Sequence, residues 1–176
     1  MKKGSGFTLI ELMIVLVVIA VFAAIAVPSY QAYIQKKDLA MAKQEALKIA
    51  SELERFKNKN FSYKGFDATY LYPSYDGSTG ELYLPVGGDE SEAKYKLTVV
   101  DLEQKNSLSA NSAAIIGLNW AIKVERCKVG GCASTSVFPK DPQNYDLLLR
   151  GNGLRCMTKN TITNYGDCGT SGVETW

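Results

Sequence analysis

Five residues carry most of the reactive chemistry of this 176-residue chain: four cysteines, Cys127, Cys132, Cys156 and Cys168, and one carboxylate, Glu11, set in an otherwise apolar run. Thiols can oxidise in pairs or, as four thiolates, hold zinc. No Cys-x-x-Cys pair is present, which speaks against zinc. The chain also has no histidine. Without imidazole there is no Ser/His or Cys/His nucleophile pair, no histidine acid/base and no histidine metal ligand. Enzyme activity is therefore the least favoured class, and nothing in the sequence calls for a cofactor or a metal. A mass of 19.3 kDa predicts one domain, or one domain with an appendage. With 46% hydrophobic residues, 22% charged residues and a net charge of +2, the composition is ordinary.

Glu11 takes its meaning from its surroundings. From Phe7 to Val27 it is the one charged residue, and Leu12 to Val27 has no polar side chain. As a helix this run spans about 31 Å, the thickness of a bilayer's hydrocarbon core. The basic head before it, with Lys2 and Lys3, is of the kind that stays in the cytoplasm while the chain behind it is exported. Lys36 and Lys37 lie beyond the run and by charge alone would weigh equally. Three readings of residues 1–30 compete. Ala24-Ile25-Ala26 before Val27-Pro28 looks like a signal-peptidase site, which would release a secreted binding domain. A plain uncleaved anchor is the second. The third starts from the cost of a carboxylate in the membrane, about 2.5–3.5 kcal/mol at its centre unless compensated. Only a protein whose helices later pack together gains from that cost.

The string Gly6-Phe7-Thr8-Leu9-Ile10-Glu11, the apolar stretch behind it and Val27-Pro28-Ser29-Tyr30 together resemble the N-terminus of type IV prepilins. The resemblance implies that a prepilin peptidase cuts between Gly6 and Phe7 and N-methylates the new amine of Phe7. The parts fit that chemistry. Gly6 lets the scissile bond lie extended against a protease backbone. The cut leaves a cation on Phe7 one helical turn from Glu11. In a bundle, Glu11 of one subunit could pair with the Phe7 amine of its neighbour and fix the axial stagger, since a slipped subunit leaves a charge uncompensated. The resemblance implies the same role.

Beyond the membrane run the pattern becomes amphipathic. Leu39, Ala42, Ala46, Ile49, Leu53 and Phe56 recur at spacings of 3, 4, 3, 4 and 3, one apolar stripe, with an ordinary solvated charged face opposite. Pro28 stands where the halves meet and should kink the helix or allow local melting during assembly. Many relatives have a glycine before this proline, and residues 7–64 contain none. Residues 61–94 are rich in turn signals and read as a loop with one short strand at Leu82–Val86. Strands are expected at Tyr95–Leu102, Trp120–Arg126, Tyr145–Arg150 and Leu154–Thr158, the last two joined by the hairpin turn Gly151-Asn152-Gly153. The expected architecture is α+β, a long helix laid on an antiparallel meander, which resembles the pilin fold. Its segments are a leader (1–6), a membrane and filament-core half of the helix (7–28), an amphipathic half (29–60), an αβ-loop (61–94) and a sheet with the C-terminal region (95–176).

All four cysteines lie beyond residue 126, in the part expected outside the cytoplasmic membrane, where thiols oxidise. Four cysteines allow three connectivities, and local closure favours Cys127–Cys132 with Cys156–Cys168. The second bridge would pin the tail, as the C-terminal disulfide loop does in the pilins this chain resembles. Lys57, Lys59 and Lys64 interleave with Phe61 and Tyr63, which could suit a nucleic-acid backbone and stacked bases. A solvated helix end with core aromatics is the favoured reading there. Without Lys2 and Lys3 cations and anions balance, so no global field attracts DNA, and DNA stays a possible partner without support. Asp89, Glu90 and Glu92 near Gly87-Gly88 match no calcium loop, and Asn60-Phe61-Ser62 fits a glycosylation acceptor on paper.

The sequence thus points to a structural subunit of a type IV pilus. It would wait in the inner membrane, N-terminus cytoplasmic and head periplasmic, until an assembly platform extracts it into a filament of other pilin subunits. The stretch from Ala42 to Tyr63, with Glu54-Arg55-Phe56 and Asn60-Phe61-Ser62-Tyr63, resembles the PilE-like minor pilins that prime or cap assembly. The alternatives are a major pilin or a pseudopilin of a type II secretion system. Adhesion, motility and DNA uptake are not separated by sequence.

Overall fold

The computed structural model describes residues 7–109 and 114–176. Gly6, on one side of the expected cleavage point, and the leader 1–6 therefore lie outside the described residues. Two compact units divide between Lys37 and Asp38.

The first unit is helical. α1 runs from Leu9 to Asn60, with Pro28 inside it. Thr8 starts it: its Oγ1 accepts the Glu11 N–H at 3.3 Å, and its carbonyl accepts the Leu12 N–H at 3.3 Å. Thr8-x-x-Glu11 is a capping-box spacing, a local signal that Glu11 also serves the first turn, where the helix dipole favours an anion. The first part of this helix is long and apolar enough to cross a membrane, and none of that stretch is buried.

The second unit begins with the rest of α1 and adds six strands: β1 Glu81–Leu84, β2 Tyr95–Asp101, β3 Trp120–Arg126, β4 Asp146–Arg150, β5 Arg155–Thr158 and β6 Val173–Thr175. They form one antiparallel sheet in the order β1-β2-β3-β4-β5-β6. Alternation sets its inner face. Leu82, Leu84, Leu97, Val99, Ile122, Val124, Leu147 and Leu149 join the helical stripe of Ala42, Ala46, Ile49 and Leu53 in one core, with Leu39 and Phe56 at its margin. Burying Ile49 and Leu53 fully contributes about 1.5–3 kcal/mol each. On the outer face, Leu148, Cys156, Ile162 and Cys168 make a second cluster with Leu154 and Tyr165, so every residue of β4 except Arg150 is buried.

Disulfides join Cys127 to Cys132 and Cys156 to Cys168. The hairpin between β4 and β5 closes with the Gly153 N–H donating to Arg150 O at 3.0 Å. The strand expected at Leu82–Val86 is Glu81–Leu84, because Pro85 has no N–H to continue the ladder. β6, which the sequence patterns do not announce, pairs with β5. Its three residues are all exposed, so no alternation marks it.

Candidate assembly and ligand surfaces

Among the described residues, the large apolar side chains of the first half of α1 are exposed. Phe7 is 78% exposed, and Leu9, Ile10, Leu16 and Phe22 are exposed with it. Glu11 sits in the first turn of this surface and Pro28 within it. A face this apolar requires lipid or neighbouring helices.

The head is fixed to its helix by polar contacts that the sequence does not announce. The charged face of α1, read as solvated, supplies three acceptors to tyrosines of the αβ-loop. Glu45 accepts from the Tyr72 hydroxyl, Glu52 from Tyr70 at 2.7 Å, and Glu54 from Tyr63 at 2.8 Å. Glu54 Oε1 also accepts the Trp120 indole N–H at 3.0 Å, joining helix, loop and β3 at one atom. Lys48 and Lys57 lie over the Tyr72 and Tyr63 rings at 4.8 and 4.7 Å. Burial first, and the glutamate partners second, hold the hydroxyls of Tyr63, Tyr70 and Tyr72 above the ordinary tyrosine range.

Three buried charges organise the sheet ends. Asp101, fully buried, accepts the N–H groups of Glu103 and Gln104 at 3.0 Å each and of Gly117 at 2.7 Å, which shapes the β2–β3 connection. Arg126 donates to Asp146 at 2.8 Å, to Asn144 O at 2.7 Å and to Lys159 O at 2.7 Å. Desolvation nevertheless holds the Asp146 carboxyl above its ordinary range. A structural clamp explains both groups, since every side-chain nitrogen of the arginine is engaged.

The basic and aromatic residues singled out by sequence separate. Tyr63 is in the core, whereas Phe61 is 90% exposed. Lys57, Lys59 and Lys64 are exposed around it. The expectation of core aromatics at this helix end therefore holds for Tyr63 and fails for Phe61. The failure is local: Phe61 follows the last helical residue at φ 61°, and this left-handed turn carries its ring away from the core. A groove of about 390 Å³ lined by Leu47, Ala50, Glu54, Trp120, Arg150 and Arg155 has one carboxylate, already engaged. Among the described residues no three His, Cys, Asp or Glu side chains gather as a metal site, Asp89, Glu90 and Glu92 included.

Comparison with known proteins accords with these surfaces. A model described as the prokaryotic N-terminal methylation motif matches residues 1–27. A second, described as type IV minor pilin ComP, DNA uptake sequence receptor, matches residues 28–114. A fimbrial protein of Pseudomonas aeruginosa is 52% identical over 54 residues, 30% of this chain and 35% of the relative. A probable minor fimbrial protein of Dichelobacter nodosus is 37% identical over 78 residues, 44% of this chain and 49% of the relative. The type II secretion system core protein G of Pseudomonas aeruginosa is 37% identical over 77 residues, 42% of this chain and 54% of the relative. The chain thus spans about a third to a half of the length of these curated relatives. No solved structure matches it. A methylation motif and a minor-pilin model that together run unbroken from residue 1 to residue 114, on a long apolar helix followed by an antiparallel meander, mean that the chain belongs to the type IV pilin family.

Proposed function

We propose that the chain is a minor subunit of a type IV pilus that serves DNA uptake, its work being assembly and binding rather than catalysis. The observation that carries this reading is the match of residues 28–114 to a minor-pilin model described as a DNA uptake sequence receptor. The precursor spans the inner membrane through the apolar half of α1, N-terminus cytoplasmic and head periplasmic. Prepilin peptidase removes residues 1–6 between Gly6 and Phe7 and methylates the Phe7 amine. The assembly platform then draws the subunit into a filament, where Glu11 pairs with the Phe7 amine of a neighbouring subunit and Pro28 gives the helix a point of adjustment. The exposed apolar surface and the first-turn carboxylate support this docking. The two disulfides brace the head outside the cell.

A pseudopilin of a type II secretion system is the second reading, favoured by the likeness to core protein G. Deletion of this chain, combined with peptide quantification of sheared pili, separates the two. A minor pilin of DNA uptake is present in pili at a small fraction of the major subunit, and its loss abolishes transformation while protein secretion continues. Lost secretion with normal transformation would overturn the proposal.

A further inference from the structure

The position just past a helix C-terminus commonly adopts the left-handed conformation, and glycine or asparagine fills it because a Cβ is penalised there. Here Phe61 fills it at φ 61°, its N–H donating to Lys57 O at 2.7 Å. The ring gains no burial in return, at 90% exposed. The β2–β3 connection closes on the same corner. Gly117 O accepts the Tyr63 N–H at 2.9 Å and the Ser62 hydroxyl at 3.2 Å. Gly117 itself is at φ +68°, and a Cβ there would meet Lys64 N at 2.5 Å, so the two segments touch backbone to backbone. Its neighbours Ile116 and Leu118 are 48% and 63% exposed. An aromatic ring in a strained backbone conformation, two aliphatic side chains and the exposed Lys57, Lys59 and Lys64 thus share one corner. Strain without a packing return marks a contact made with something else.

We infer that Phe61 is a wedge for duplex DNA, entering the base stack from the minor groove while Lys57, Lys59 and Lys64 neutralise the flanking phosphates. This rests on the DNA-uptake reading and locates its contact. Minor-groove proteins kink DNA with apolar wedges of this kind, with basic side chains beside them. A platform for single strands needs successive exposed rings, and Tyr63 is buried. The corner's lysines and Phe61 lie within residues 28–114. The other strongly exposed phenylalanine of the head, Phe138 at 71%, lies beyond them. Pyrimidine–purine steps unstack most readily, so the wedge favours duplexes that contain them.

The test uses the full chain in detergent micelles and fluorescence anisotropy with three probes: random-sequence duplexes, duplexes with a central TA step, and single strands. Phe61→Gly suits the left-handed backbone, so it unfolds at or above the wild-type temperature while duplex affinity falls about tenfold. Replacing the three lysines with alanine lowers the log–log salt slope by about 0.9 for each phosphate that is no longer neutralised. Duplex binding by Phe61→Gly within about twofold of wild type would overturn the wedge and leave the DNA-uptake reading standing. So would earlier unfolding of that variant, tighter binding of single strands, or a loss produced instead by Phe138→Ala. If the wild-type chain binds none of the probes, the wedge and the DNA reading fall together.

Discussion

Removing the Glu54 carboxylate should loosen the head more than any other single change on the solvent side of α1. Two donors converge on its Oε1, the Tyr63 hydroxyl at 2.8 Å and the Trp120 indole N–H at 3.0 Å. Both donor residues are 3% exposed, and their rings meet edge to face with centroids 6.5 Å apart. A buried donor left without an acceptor costs about 1–3 kcal/mol. Glu54 itself faces solvent, so water can replace part of the bonding and each donor takes the lower figure. Glu54→Ala should then cost about 2 kcal/mol, a fall in melting temperature of about 6–10 °C for a head of this size. Glu54→Gln keeps an acceptor oxygen at the same place but gives up the charge, and should cost about half as much. The assay is thermal unfolding of the full chain in micelles, monitored by near-ultraviolet circular dichroism, with Trp120 fluorescence as a local readout. If Glu54→Ala melts within about 1 °C of wild type, or if the glutamine variant is the worse of the two, this joint does not hold the head together.

Three further outcomes are expected from the same structure. Glu11→Ala should leave cleavage after Gly6 intact but reduce incorporation into filaments about tenfold or more, because the Phe7 amine of a neighbour is left unpaired in an apolar bundle; normal incorporation would refute the stagger argument. The raised pKa values of Tyr63, Tyr70 and Tyr72 mean that their contribution to stability is complete below about pH 10, the ordinary tyrosine value, and is lost as pH climbs through the raised values. Phenolate absorbance and circular dichroism should therefore change together in alkali, and an early phenolate signal from all tyrosines in a folded head would contradict this. The Cys156–Cys168 bridge spans a sequence separation of 12 and Cys127–Cys132 one of 5, so serine pairs should cost about 3 and about 2 kcal/mol respectively in chemical denaturation.

How far the sequence could be read depended on the range of the forces involved. The helical stripe from Leu39 to Phe56 and the alternating strands β2 to β5 are local patterns, and a period of 3.6 or 2 reports them directly. The αβ-loop has no period, yet it places Tyr63, Phe66, Ala68, Tyr72 and Tyr75 in the core. It is fixed by pairing with glutamates 9 to 27 residues away, and no window along the chain contains that information. The charged face of α1 was legible as polar but not as a set of acceptors, because polarity does not say what it meets. Strand β6 carries a pairing edge and nothing else, so it exists only once β5 is in place. For the candidate surfaces, the N-terminal string was legible as a methylation motif, since that motif is written in consecutive residues. The ring of Phe61 was not, because its exposure comes from one backbone angle, and hydrophobicity alone assigns a phenylalanine to the core.

The measurement that bears most directly on the pilus reading is the mass of the N-terminal peptide of this chain recovered from sheared, purified pili. A pilin cut between Gly6 and Phe7 yields a peptide that begins with N-methylated Phe7. A peptide that begins at Val27, or one that still carries Met1, would contradict it.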